Sequence, residues 1–174
     1  MTGKRVYFFG GGKADGSGAM KKILGGKGAG LAEMTNLGTP VPPGFTITAE
    51  VCLDYLESGQ QLPEGLEKEV LANLGQVEET LGKKFGDPAD PLLISIRSGA
   101  AISMPGMMDT VLNLGLNDSS IVGLSAQSGD ERFAYDSYRR LIQMYSDVVI
   151  GIEHSKFESI LKNVKSDKGY NLDV

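Results

Sequence analysis

"LGGKGAGLAEMTNLG", Leu24–Gly38, sets four glycines and a lysine directly ahead of a helical pattern. Leu31, Met34 and Leu37 recur at helical spacing, and Gly38 is a natural residue to follow the last turn. The glycines at 25, 26, 28 and 30 let the backbone approach a ligand, and free N–H groups at a helix start attract anions. Lys27 adds a point charge that can reach phosphate oxygens. The segment is not a P-loop, because position 21 is lysine rather than glycine and no Ser or Thr follows Lys27. Nor does it complete GxGxxG, since "GKGAGL" ends in leucine. Two readings stand at this point: a phosphate cradle, or a flexible helix start carrying a solvated lysine.

The bulk of the chain narrows the setting. Its 174 residues suit one domain with a real core, or a piece of something larger. Twenty-four glycines are about twice the usual ~7% share. A net charge of −5 leaves no basic stripe for a nucleic-acid duplex, so no nucleic-acid partner is expected. One cysteine, Cys52, rules out an internal disulfide and fits a reducing compartment. No 18-residue apolar run offers a membrane span, and "MTGKRVYFFGGGK" has too short an apolar core for a secretory signal. The expectation is a cytoplasmic domain with no membrane partner.

Outward from the glycine segment, Val6–Phe9 reads as a strand and "GGGKADGSG" as a flexible polar loop. "TPVPPGF" breaks the chain before a strand over Phe45–Thr48. Thr48 is placed to cap a helix running to Ser58, with Cys52, Tyr55 and Leu56 on one face. Leu66, Val70, Leu74, Val77 and Leu81 form one continuous helical stripe. "GDPADP" is a loop, and the apolar run "LLISIR" reads as an interior strand. Beyond residue 125 the pattern turns helical. Ser128 and Glu131 suggest a capping box before Ala134, Tyr138, Leu141, Ile142, Tyr145, Val148 and Val149; Ser155 and Glu158 repeat it before Phe157, Ile160, Leu161 and Val164. The division expected is an α/β (α+β) subdomain over 1–115 and a helical subdomain, incomplete, over 116–174.

The second chemical constellation is "ISIRSGAAISMPGMMDT", Ile94–Thr110. Ligands of α/β sheets gather outside the carboxyl ends of strands, and Arg97 follows "LLISI" at such an end. Its forked donors suit phosphate or carboxylate, although a plain structural ion pair explains it equally well. Gly106 permits a tight approach, while Met104, Met107 and Met108 supply adaptable apolar contact or simply fill a core. Asp109 is able to approach a metal, but an aspartate in a turn usually bonds its own backbone. His154, the single histidine, has no serine–acid arrangement or metal-ligand spacing around it, and reads as exposed or capping. Glu78–Glu79 and Arg139–Arg140 read as solvated helix faces.

Four segments in order, "ILGGKGAGLAEM", "GTPVPPGFTIT", "PLLISIRSGAAISMPGMMDTVLNLGLND" and "RFAYDSYRRLIQMYSDVV", closely resemble the N-terminal nucleotide-binding region of the pyruvate, phosphate dikinase family. "GGKG…PPGF…RS" alone would also fit a phosphoenolpyruvate synthase (a pyruvate, water dikinase), whereas "SMPGMMDT" with "RFAYDSYRR" points to the dikinase. "AAIS" at 100–103 departs from the more polar version frequent in the family.

The resemblance implies the first lobe of an ATP-grasp-type domain, followed by a helical subdomain. It implies Lys27 and Arg97 on the triphosphate of ATP (or AMP after transfer), and a Gly106–Thr110 loop, with Met108 and Asp109, closing over it. The family interconverts ATP, pyruvate and phosphate with AMP, phosphoenolpyruvate and pyrophosphate, through a phosphohistidine carrier. Mg²⁺ ligands, the phosphohistidine domain and the pyruvate-binding barrel are expected outside this chain, and the full-length enzyme is expected to be a homodimer. The isolated chain is therefore expected to be inactive. The rival of another class is a non-catalytic interaction module docking through the methionine loop and the helical end.

Overall fold

A computed structural model of the chain describes residues 3–99 and 109–170. These form two compact units, one of residues 3–84 with 98 and 99, the other of residues 85–97 and 109–170.

In the first unit, β1 (Val6–Gly10) lies between β2 (Lys13–Ala14) and β3 (Gly44–Ile47) and is antiparallel to both. The register pairs Phe9 with Ala14 on one side, and Val6 with Ile47 on the other. Gly11 and Gly12 connect β1 to β2 with φ of 57° and 81°. Positive φ at both central residues makes a tight primed turn whose twist suits a hairpin. The stretch expected as a polar loop is therefore a hairpin followed by a short 3-10 turn, Gly18–Met20. The glycines that suggested looseness are what the tight turn requires.

Helix α1 (Lys21–Asn36) packs on this sheet, burying Leu24, Ala29, Ala32 and Thr35. Helix α2 (Ala49–Glu57) follows Thr48, whose side chain makes no capping bond. Its buried residue is Val51; Cys52 and Leu56 are exposed, which rotates the inward face away from the one expected. Helix α3 (Leu66–Leu81) carries the anticipated stripe, with Leu66 and Val77 buried and Val70 and Leu74 half-buried, although Leu81 at the end is exposed. Val6, Val51 and Leu66 make the core of this unit, with Phe45 and Val70 against it. Arg5, directly before the central strand β1, ties α3 to the sheet through Glu69 and donates to the Glu64 carbonyl at 2.9 Å.

In the second unit, the strand ending at Phe85, β4 (Lys84–Phe85), pairs with β5 (Pro91–Leu92), and β6 (Ile94–Arg97) pairs antiparallel with β7 (Thr110–Leu114). Asp87 Oδ1 accepts from the Ala89 and Asp90 N–H groups at 2.7 and 2.8 Å, which pulls its pKa down and closes the β4–β5 turn. β6 is not the interior strand expected. Among the described residues it belongs to a two-stranded ribbon, and Ser95, Ile96 and Arg97 are exposed. The apolar burial lies one step earlier, in Leu92.

Helix α4 (Ser120–Ser128) has no counterpart in the sequence reading. Its start is built by side chains: Asn117 Oδ1 accepts from the N–H groups of Ser119 and Ser120, and Ser120 Oγ accepts from Asn117 N at 2.8 Å. These bonds satisfy helix-start donors that otherwise face water. Helix α5 (Glu131–Tyr145) is capped by Asp130, which accepts from Phe133 N at 2.9 Å; Ser128 belongs instead to the last turn of α4. A π-helical turn, Ser146–Ile150, extends α5, and helix α6 (His154–Lys168) follows. Ser155 lies inside α6 rather than capping it. Val111, Leu116 and Leu141 form the core, with Leu93, Leu114, Leu124 and Tyr138 around them. The boundary expected at 115/116 falls inside this unit, between β7 and α4, which follow one another directly along the chain. The mixed helix-and-sheet character is as expected.

Candidate functional site

The glycine segment gives α1 a break. Gly25 has φ 69° and ψ 171°, a conformation foreign to a helix and one that a side chain would strain. Helical geometry resumes after it, so Lys27 falls in the first turn of the resumed helix rather than at the start of α1. Gly28 answers a different need. A Cβ there would come within 2.8 Å of both Thr46 side-chain branches, so only hydrogen lets α1 lie this close to β3. Gly30 meets neither need, because nothing lies within 4 Å of where its Cβ would stand. Lys27 is exposed, and its Nζ donates to the Ser98 carbonyl at 3.3 Å. That contact spans 71 residues of sequence and no local pattern announces it.

In the second unit, Arg97 ends β6 and is exposed, with its Nε donating to Ser95 Oγ at 3.4 Å. Alternation along the strand puts Ser95 and Arg97 on one face. Thr110 pairs with Arg97 in the β6–β7 register, and Asp109 directly precedes it, so Arg97, Asp109 and Thr110 gather at one end of this ribbon. Gly106 and Met108, together with Met104 and Met107, lie outside the described residues. Lys27 belongs to the first unit. Lys27 donates to a backbone carbonyl and Arg97 to a hydroxyl, and the further N–H donors of both cations are of the kind that suits an anionic ligand.

The weaker suspects resolve more plainly. Asp136 holds both arginines of the doublet: Arg139 Nη2 and Arg140 Nε each reach one of its oxygens at 2.7 Å, and Arg139 also donates to Gln143 Oε1 at 2.9 Å. Partial burial works to raise the Asp136 pKa, but the hydrogen bonds and charges of the two guanidinium groups outweigh it and bring it down. The doublet lies on an exposed helix face, as expected, and there forms an ion cluster with Asp136. Glu78 binds Lys84 at 2.8 Å and raises the pKa of that lysine. Tyr138 donates to Asp118 Oδ1 at 2.8 Å, which raises the pKa of the phenol. His154 is exposed, near Asp147, Glu158 and Gln143. Among the described residues, no three His, Cys, Asp or Glu side chains converge in a group able to hold a metal ion. No described helix is long and apolar enough to cross a membrane.

Residues 21–67, which contain α1 and Lys27, match the family described as pyruvate phosphate dikinase, AMP/ATP-binding domain. Over 171 residues the chain is 58% identical to the chloroplastic pyruvate, phosphate dikinase of Mesembryanthemum crystallinum, covering 98% of this chain and 18% of that protein. It is 56% identical over 171 residues to the pyruvate, phosphate dikinase of Rhizobium meliloti, covering 98% of this chain and 19% of that protein. The chain thus spans about a fifth of the length of these curated relatives.

Proposed function

We propose that this chain, whose sequence is that of the pyruvate, phosphate dikinase family along nearly its whole length, is part of the ATP-binding region of such an enzyme. The observation that carries the reading is the coincidence of the AMP/ATP-binding match, 21–67, with a helix broken at Gly25 and bearing an exposed Lys27. A helical turn resumes after Gly25 beside Lys27, and helix-start N–H groups with a neighbouring ammonium suit a polyphosphate. Lys27 and Arg97 each contact the triphosphate in this reading. Asp109 and Thr110, with Gly106 and Met108, belong to the loop that covers it in an ATP-grasp-type domain.

The whole enzyme would interconvert ATP, pyruvate and phosphate with AMP, phosphoenolpyruvate and pyrophosphate. Phosphoryl transfer asks the protein for positioning and charge neutralisation, which lysine and arginine supply, rather than for covalent chemistry at this site. The carrier histidine, the pyruvate site and the Mg²⁺ ligands are assigned to residues outside this chain. The homodimer and the cytoplasmic or organellar location belong to the same proposal; relatives include chloroplastic proteins and a bacterial one.

The test is ATP-dependent phosphorylation of the carrier histidine in the full-length enzyme. Lys27→Ala and Arg97→Ala are each expected to slow it roughly 10- to 100-fold, the worth of one charge-assisted hydrogen bond. Wild-type rates in both correctly folded variants would remove these residues from the site.

A further inference from the structure

We propose that Asn113 is a positioning residue: its left-handed backbone makes a one-residue bulge in β7 that sets Thr110 opposite Arg97, and its side chain pins that bulge to α5. Its part in nucleotide binding rests on Arg97 and Thr110 facing the triphosphate. Ile94 and Ile96 are two steps apart on β6, whereas their partners, Leu114 and Val111, are three steps apart on β7. β7 therefore carries one surplus residue, which is what makes a bulge. Asn113 has φ 60° and, with Gln60, is one of two non-glycine residues at positive φ among those described. Asparagine visits this conformation more readily than most side chains.

The bulge decides what faces what. Side chains of a regular strand alternate, so Val111 and Leu114, three apart, would point to opposite faces. Both instead belong to the core around Leu116 and Leu141, because the surplus residue restores the phase. Continued without a bulge, the Ile94–Leu114 register would put Val111 opposite Arg97 and leave Thr110 one place beyond. With the bulge, Thr110 is the partner of Arg97. Side chains directly opposed across a ribbon lie on one face, so the guanidinium and the hydroxyl are presented together.

The segment after the bulge is held in place. Leu116 is buried, its N–H donates to the Asn113 carbonyl at 3.2 Å, and Ser120 Oγ donates to the Gly115 carbonyl at 3.0 Å. Asn113 itself is half-buried, and its Nδ2 donates to the Ser137 carbonyl of α5 at 3.2 Å. A register error therefore falls on the other end of the ribbon, where Arg97 is exposed and Thr110 half-buried. Binding of a triphosphate there depends on small displacements of the groups that contact it.

The test compares Asn113→Gly with Asn113→Ala. Glycine keeps the left-handed backbone and gives up only the Ser137 bond, whereas alanine gives up both. Cross-strand NOEs in the full chain read the register, and the apparent KM for ATP in carrier-histidine phosphorylation is measured in the full-length enzyme. Asn113→Gly should keep Thr110 opposite Arg97. Asn113→Ala should place Val111 opposite Arg97 in part of the population. Its KM should rise several-fold, up to roughly 30-fold, with kcat near wild type, because ATP then selects the bulged fraction. In an Arg97→Ala background the same change should move the KM less. A wild-type register in Asn113→Ala, or a register lost equally in Asn113→Gly, overturns the positioning role. A mixed register with an unchanged KM upholds it and removes this ribbon end from the nucleotide site.

Discussion

Helices α1 and α5 have 16 and 15 residues and are built by opposite means. α5 has no glycine, opens on an Asp130 cap, buries Ala134, Ser137 and Leu141, and turns the Asp136–Arg139–Arg140 cluster outward. Each feature favours a helix. α1 carries glycines at 25, 26, 28 and 30, each costing about 1 kcal/mol against alanine in a regular helix. Two of them answer to packing or backbone shape, Gly28 against Thr46 and Gly25 at the break, and Gly30 does not. The difference separates a helix selected to be stable from one selected to bring backbone close to something.

The largest expected effect falls on α5. Leu141 is 6% exposed and packs with Val111 and Leu116, so Leu141→Ala should destabilise the second unit by about 2–5 kcal/mol in denaturant unfolding. A loss under about 1 kcal/mol would mean that α5 does not depend on its core stripe. Next comes Gly28→Ala in α1. The added methyl would stand 2.8 Å from Thr46, a cost of about 1–3 kcal/mol for overpacking, read as earlier unfolding of the first unit. Thr46→Ser deletes one of the two crowding branches and should recover part of that loss. Without such recovery, the glycine is there for some reason other than the sheet.

The same contrast explains what could be read along the chain and what could not. The stripes of α3 and α5 were legible because burial repeats with the helical period, as Leu66, Val77, Ala134 and Leu141 bear out. Helix α4 was not legible, since its start depends on Asn117 and Ser120 exchanging bonds with the backbone rather than on an apolar stripe. The cap of α5 was misassigned because Ser128 and Asp130 both suit the role, and Gly129, at φ 65°, ends α4 between them. "LLISIR" misled for a related reason. Apolar content signals burial of a strand only if something covers both faces, which sequence does not record. At the candidate site, Lys27 and Arg97 were legible as residue types. The Ser98 carbonyl on Lys27 and the Thr110 partner of Arg97 depend on distant pairing.

Gly30→Ala tests α1 from the other side. With open space at the Cβ position, alanine should stabilise the first unit by about 0.5–1 kcal/mol, measured as a raised unfolding midpoint. In the full-length enzyme, a stability gain accompanied by slower histidine phosphorylation would place the reason for Gly30 in the ligand. A gain with no change in rate would leave α1 looser than packing or function demands.

The smallest expected effect returns to α5 and depends on acidity. Asp136 has a pKa below the ordinary carboxylate range in the folded chain, so its contribution is fully present above the unfolded value, near 3.9. It is lost as pH falls through the lowered folded value, when the protonated carboxyl no longer draws Arg139 and Arg140. All three side chains reach solvent, and i,i+3 and i,i+4 pairs of this kind contribute about 0.3–0.5 kcal/mol each. Asp136→Asn should therefore cost less than about 1 kcal/mol at neutral pH and flatten the acid limb of the second unit's stability curve. An acid limb identical in the two proteins would show that the cluster follows α5 rather than holding it, and that cap and core alone separate α5 from α1.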